Sequence, residues 1–390
     1  MVSLEIGTSH VRVFVGESRE DETLQIVGMG DCPSRGMRKG EMFHFDSVVE
    51  CIEHAIRQAE NSANITIHNV SLVLSGSRIQ SMMYRGEVPL DGEVTEEDLD
   101  RVHEAVTDFT LPPGNEQLHN IMGEYAVDDM PGVSPLGMTG HKLALNTLVV
   151  YGVASPMINL ARAVKSLKLD VDAMMFSGFC SAMSVLPPAQ RLNGALLIDL
   201  GAGTTDYMAY AGGGGAEAGV IGVGGDHVTN DICRAFRLRN DEAEALKIQH
   251  GDAMVSAAGR TRRLSIPASG TGEVARSVKL SDLQTVIHLR MEETFGLIRE
   301  RLQRKQWLSM MREGVVLTGG GAHLRNAATL AQKVFGLPCE IGVPRNVPVH
   351  LAQPEYATGI GAVQCAYKSA CNRAARSGGF FKKLGHWIGW

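Results

Sequence analysis

The chain opens with β-patterned runs. Residues 2–7 and 11–16 are short and rich in β-branched side chains, and Thr8-Ser9-His10 joins them tightly. Residues 24–30 form a third run, and Pro33-Ser34-Arg35-Gly36 then breaks the pattern. Runs of this kind, bounded by turn residues, predict strands. The period then lengthens. Val48, Cys51, Ile52, Ala55, Ile56 and Ala59 recur at three- and four-residue spacing, which predicts a helix over residues 47–62 with Asp46 as its N-cap. Residues 70–74 read as a buried strand ending at Ser75-Gly76.

From about Met82 to Gly152 the chain is richer in acid and proline. Thr95 and Asp98 have capping-box spacing, which predicts a helix over residues 96–108. Extended segments at 117–128 and 141–153, joined by a Pro/Gly-rich link, complete a small inserted α/β subdomain. Helix and strand then alternate: helix 156–167, strand 171–175, helix 178–186, strands 195–200 and 204–210. The tetraglycine 212–215 suits a hairpin turn before a strand at 219–223. Helices are predicted over 226–236 and 241–250, and a long one over 280–312 after a poorly patterned stretch, 260–277. The end reads strand 314–317, helix 324–335, strand 338–341, helix 356–375.

One repeat crosses this pattern. Leu4-Glu5-Ile6-Gly7-Thr8-Ser9 resembles Ile198-Asp199-Leu200-Gly201-Ala202-Gly203-Thr204-Thr205: strand, acid, glycine, small hydroxylic residue, strand. The copies lie about half a chain apart, which predicts two similar α/β domains.

Composition narrows the function. The chain has 390 residues, a formal net charge of -6 and 44% hydrophobic residues, enough for two or three domains with their own cores. The acidic balance argues against general nucleic-acid binding, which needs a basic excess to neutralise phosphates. The seven cysteines are scattered and form no CxxC pair, so they read as apolar fillers in a reducing cytoplasm. No apolar run reaches the ~18–20 residues that span a bilayer. Glu5, His10 and Arg12 interrupt the N-terminus, which lacks the pattern of a signal peptide.

Three glycine turns carry the candidate chemistry. In DLGAGTTD, Asp199 to Asp206, glycines let the backbone approach an anion, and successive N–H groups make a concave anion site. Thr204 and Thr205 can donate hydroxyl hydrogen bonds, and Asp199 can hold hydrated Mg²⁺. A simple tight hairpin is the bland alternative, and the matching N-terminal copy argues against it. VVLTGGGA, Val315 to Ala322, ends a strand in glycines and opens a helix, where backbone N–H groups can meet a ligand. It is neither a Walker loop nor a GxGxxG motif. Gly222-Val223-Gly224-Gly225-Asp226 repeats the strand–glycine–helix order, and Glu244 and Lys247 share a helix face beyond it.

Together these pieces resemble the actin, sugar-kinase and seventy-kilodalton chaperone superfamily. More closely, LEIGTSHVRVFVGE, CPSRGMRKGE, LVLSG, DLGAGTTD, GVGGDHVTNDI, AEALKIQHGDA, VVLTGGGA and PEYATGIGA resemble FtsA segments, in FtsA order and over essentially the whole chain. The resemblance implies an actin-like two-domain α/β ATPase fold with the FtsA-type subdomain 1C inserted. It divides the chain into a first domain at 1–81 and 154–192, the insert at 82–153, and a second domain at 193–355, with subdomain 2B at about 226–311. A closing helix and linker follow at 356–376, and a membrane-targeting helix at 377–390. It implies that ATP lies against Gly7, Thr8 and Ser9 on one side and Gly201, Ala202, Gly203 and Thr204 on the other. Gly224, Gly225, Glu244, Lys247 and Gly319, Gly320, Gly321 and Ala322 would line the adenosine side. Glu5 and Asp199 would lie near Mg²⁺ through its waters. The chain departs from the pattern at Glu5, where Asp is common, and at His10, where Lys is common. Met175-Phe176-Ser177-Gly178 lacks the acid that positions attacking water in many relatives. These departures predict slow or negligible turnover, with no assigned catalytic residue.

The chain's end carries the clearest partner signal. Phe380, Phe381, Leu384, Trp387 and Ile388 fall within a ~120° arc of a helical wheel at ~100° per residue. Lys382 and Lys383 flank them, no acid occurs after Glu355, and Ser377-Gly378-Gly379 makes a hinge. This pattern suits an interfacial helix on anionic lipid; a helix packed on the protein's own body is the alternative. The FtsA resemblance implies further partners: the acidic C-terminal peptide of FtsZ, for which Arg299 and Arg301 are candidate contacts, other copies of the chain, and other division proteins at the insert. The implied place is the cytoplasmic membrane face at the division septum. Two other readings share the superfamily: an actin-like pilus-assembly ATPase and a small-molecule kinase.

Overall fold

The computed structural model describes residues 1–19, 23–266 and 276–377. The terminal helix predicted from the Phe380 to Ile388 pattern lies outside the described residues. In the first domain β1 (Val2–Ile6), β2 (His10–Ser18) and β3 (Leu24–Pro33) form an antiparallel meander. A short hairpin, β4 (Met37–Arg38) and β5 (Glu41–Met42), leads into α1 (Phe45–Ala63), and β6 (Asn69–Leu74) then pairs parallel with β1. The predicted apolar face of α1 is the buried one. Its cap differs from expectation: the His44 side chain accepts from the Ser47 N–H, and Asp46 sits in the first turn, where its charge favours the helix dipole. Helix and sheet approach so closely that a Cβ on Gly30 would lie 1.9 Å from the Ala55 carbonyl oxygen.

The insert consists of β7 (Ile79–Glu93), α2 (Glu96–Ala105), β8 (Asn115–Val127), β9 (Met130–Pro131) and β10 (Thr139–Val153), in sheet order β7-β10-β8-β9. Sequence reasoning missed β7 because Gly86, Pro89 and Gly92 disrupt its pattern. As an edge strand it tolerates them, and Pro89 sits at a register shift against β10. The Thr95–Asp98 capping box forms as predicted, and α2 ends three residues before Asp108.

The first domain resumes with α3 (Ala154–Ser166), β11 (Asp170–Phe176), α4 (Ser177–Val185) and α5 (Pro188–Asn193). The second contains β12 (Leu196–Leu200), β13 (Thr205–Ala211), β14 (Gly214–Ile221), α6 (Gly225–Phe236), α7 (Asn240–His250), β15 (Arg263–Ile266), β16 (Arg276–Lys279), α8 (Leu280–Arg304), β17 (Val315–Thr318), α9 (Ala327–Phe335) and β18 (Cys339–Ile341). The closing α10 (Ala357–Ser377) packs back on α4 and the first sheet. The two five-stranded sheets, β11-β6-β1-β2-β3 and β14-β13-β12-β17-β18, have one topology read from opposite edges. The repeat seen in the sequence is therefore a repeat of whole domains.

Four further expectations change. Only Gly212 and Gly213 of the tetraglycine make the turn, at φ 60° and 79°. Gly214 enters β14, where a Cβ would meet Gly123 of the insert at 2.2 Å. The stretch 260–277 holds β15 and the start of β16, which pair antiparallel and are too short to show a period. Helix α8 stops at Arg304 instead of 312, because Gln306 turns left-handed and the Trp307 N–H returns to the Leu302 carbonyl. After Gly319 the chain makes a 3₁₀ turn, and left-handed Asn326 precedes α9, so that helix starts at Ala327 instead of 324.

Candidate functional site

The β1–β2 and β12–β13 turns face each other across a cleft of ≈ 550 Å³ between the domains. Each turn needs its glycine. A Cβ on Gly7 would lie 2.8 Å from the His10 carbonyl oxygen, and one on Gly201 would lie 2.8 Å from that of Thr204. The turns touch: a Cβ on Gly203 would meet Thr8 Oγ1 at 2.3 Å and the Lys39 backbone at 2.9 Å. Thr8 Oγ1 is held by the Gly40 N–H at 3.1 Å.

The second turn is braced from below. The Gly225 and Asp226 N–H groups at the start of α6 donate to the Gly201 and Ala202 carbonyls, both at 2.9 Å. A Cβ on Gly224 would lie 2.5 Å from the Ala202 carbonyl oxygen. On the same side Lys247 Nζ reaches Glu244 at 2.8 Å, Thr229 Oγ1 at 2.9 Å and the Gly225 carbonyl at 3.2 Å. Gly319, at φ 81°, passes so close to the floor that a Cβ would meet Asp199 Oδ1 at 2.2 Å.

Three acids form that floor. Asp199 Oδ2 accepts from Ser181 at 2.5 Å and Thr358 at 2.8 Å, and burial raises its pKa despite both hydroxyls. Asp206 accepts from Ser75 at 2.8 Å and from Ser177. Burial, then the charge of Asp199, pushes it up to about 7. Glu5 is also pushed up to about 7, first by burial and then by Asp199, Asp31 and Asp206, with Arg12 opposing. Its Oε2 is buried without a hydrogen-bond partner. Burial and Arg12 lower the pKa of His10, so the first turn carries no histidine cation at neutral pH.

All the predicted glycine-turn residues line the cleft, as do Glu5, Asp199, Glu244 and Lys247, with one exception. Ala322 is 1% exposed and packs in the second domain's apolar core, because the 3₁₀ turn points it away from the cleft. Sequence reasoning gave Asp206 no role and found no clear acidic base beside the turns. The register supplies one: Asp199 and Asp206 are direct partners across the β12–β13 hairpin. The available signal was the tight turn itself, which fixes which residues face each other.

A second concavity of ≈ 790 Å³ lies between α8 and α9 and includes Arg299, His288 and Lys333. Arg301 leaves α8 on another side, donating from Nη1 to the Val220 carbonyl at 3.4 Å. Two further cations at the end of α8 are paired, Arg304 with Glu300 and Lys305 with Glu217. Among the described residues no helix is long and apolar enough to cross a membrane.

Residues 196–361 match a family model described as Cell division protein FtsA, and residues 76–151 match one described as SHS2 domain inserted in FTSA. The cell division protein FtsA of Escherichia coli (strain K12) is 34% identical over 408 residues, covering 100% of this chain and 97% of that protein. The FtsA of Pseudomonas aeruginosa is 34% identical over 366 residues, covering 93% and 88% respectively. Among solved structures, a PilM-PilN type IV pilus biogenesis complex aligns with TM-score 0.63 at 18% identity, over 93% of this chain and 97% of that one. MreB5 of Spiroplasma citri bound to ADP aligns with TM-score 0.56 at 14% identity, over 96% and 97%. The fold is actin-like, with the FtsA-type insert.

Proposed function

The chain belongs to the FtsA family of cell-division proteins, and from that premise we propose that it binds ATP with Mg²⁺ in the interdomain cleft, polymerises, and tethers FtsZ filaments to the cytoplasmic membrane face at the septum. The observation that carries the nucleotide reading is the contact between the two glycine turns, where Thr8 Oγ1 leaves no room for a Cβ on Gly203. Two turns that close face a phosphate chain with backbone N–H groups. The donor set suits hydrated Mg²⁺: Glu5 Oε2 is a buried, unpartnered oxygen, and Asp199 stands on the opposite hairpin. Glu5 and Asp199 would hold the ion's waters, and Lys247 and Glu244 would bound the adenosine end. The bound ATP·Mg²⁺ supplies a polarised γ-phosphate. Asp206 is a poorly available base, because the Ser75 and Ser177 hydroxyls occupy its oxygens. Turnover is accordingly slow or negligible.

The membrane contact is assigned to residues 379–390, through Phe380, Phe381, Leu384, Trp387 and Ile388 with Lys382 and Lys383. The acidic FtsZ peptide is assigned to the concavity beside Arg299, with Arg301 on the β14 side of the same helix. The insert offers a surface for other division proteins. Electron microscopy on anionic lipid monolayers with ATP, with and without FtsZ, tests the whole reading. Membrane-bound filaments that recruit FtsZ are expected, and filaments indifferent to lipid and to FtsZ would overturn it.

A further inference from the structure

Away from the cleft, the C-terminal end of α4 gathers three cations. Arg191 of α5 reaches back to Met183, with Nη1 2.6 Å from the sulfur. Arg345, in the loop after β18, donates from its backbone N–H to the Ser184 carbonyl at 3.0 Å and from Nη2 to the Leu186 carbonyl at 3.1 Å. Gln364 of α10 donates to the Arg345 carbonyl at 3.3 Å. Lys368 lies one helical turn beyond Gln364 on the same face. Three segments distant in sequence thus converge on one spot.

Nothing described neutralises them. None of the three appears in an ion pair among the described residues, and Arg191 Nε and Arg345 Nε are both buried without a hydrogen-bond partner. Burial, then the charge of Arg191, lowers the pKa of Arg345, and burial, Arg191 and Arg345 all lower that of Lys368. Unpaired buried N–H groups and crowded like charges both weaken a fold, and proteins concentrate such exceptions at functional sites. Lys368 is exposed, so the cluster opens to solvent.

The chemistry selects the ligand. Guanidinium forks match the paired oxygens of phosphate, and a phosphate monoester brings nearly two negative charges and three acceptor oxygens. A lone carboxylate brings one charge against three cations. We propose that Arg191, Arg345 and Lys368 form a binding site for a phosphate group, presented either by an anionic lipid headgroup or by a soluble phosphate. The lipid source rests on the membrane reading above; the phosphate site itself does not.

The test is lysine acylation of the full chain, read at Lys368 by mass spectrometry. Inorganic phosphate should slow acylation there about tenfold against chloride at equal ionic strength, the effect of raising the lysine pKa by one unit. In Arg345→Gln and Arg191→Gln that protection should vanish, while in phosphate-free buffer both variants should melt above the wild type, having lost like-charge repulsion. Phosphatidic acid vesicles, whose headgroup is a phosphate monoester, that protect Lys368 where phosphatidylcholine vesicles do not assign the headgroup as the source. Protection by inorganic phosphate alone assigns a soluble one, and it stands even if the protein fails to sediment with vesicles. Unchanged Lys368 acylation in the wild type with both inorganic phosphate and phosphatidic acid overturns the site, as does equal protection in both variants.

Discussion

In both halves a glycine two residues after a strand carboxylate makes the same turn, yet the two turns are finished differently. The carboxylate of the second, Asp199, is met by Ser181 and Thr358, and two N–H groups of α6 hold the turn's carbonyls. The first turn has Glu5, one methylene longer, with a buried oxygen that meets no partner among the described residues, and it is tied back through the Gly40 N–H to Thr8 Oγ1 and the Ser34 N–H to the Ser9 carbonyl. A buried polar atom without a partner costs stability unless something else completes it. The second turn is thus held by the protein, and the first is finished by what enters the cleft.

The largest effect expected from this contrast is a pH dependence. Glu5 has a folded pKa of about 7 against an ordinary 4.5. Between those values the folded state holds a proton that the unfolded state has released, so stability falls as pH rises through the window, by on the order of 3 kcal/mol in all. Asp206 acts in the same direction, from 3.8 to about 7. Urea melts of nucleotide-free protein in chelator at pH 5 and pH 7.5 measure this, and Glu5→Gln should flatten the slope. A slope that the variant leaves unchanged would show that Glu5 is not the unfinished group.

Breaking the contact between the turns comes next. Gly203→Val forces a side chain into Thr8 and Lys39, and overpacking of this kind costs ~1–3 kcal/mol, up to about 100-fold in affinity. Fluorescent-nucleotide titration should show that loss, and wild-type affinity would mean that the turns do not close on a common ligand. Asp199→Ala should lower stability by ~1–2 kcal/mol, since Ser181 and Thr358 keep only each other as partners. Thermal melts should place it below Glu5→Ala, which leaves no hydroxyl stranded. The smallest effect is at Lys247→Ala, which removes a part-buried ion pair to Glu244 with its hydrogen bonds to Thr229 and the Gly225 carbonyl but leaves both glycine turns in place. ATP affinity should weaken only about fivefold.

The local signals were legible because they act over a few residues. The capping box at Thr95, the apolar stripe of α1 and the glycines of both turns were all readable, and the repeat predicted two domains before any pairing was known. Where a signal spans two residues on one element, burial can redirect it. Ala322 follows three cleft glycines and still turns into the core, and Arg299 and Arg301 leave one helix on different sides. The edge strand β7 hid behind a proline and two glycines that only an unpaired edge accommodates.

By itself the sequence determined that two glycine turns of one design exist, each behind an acid, because turn chemistry is written in adjacent residues. Only the tertiary structure decided that they touch through Gly203 and Thr8, that Asp206 stands opposite Asp199, and that Arg191, Arg345 and Lys368 meet at the end of α4. The physical reason is separation. Packing and pairing bring together groups far apart along the chain, and no local pattern records which distant residue will close the gap.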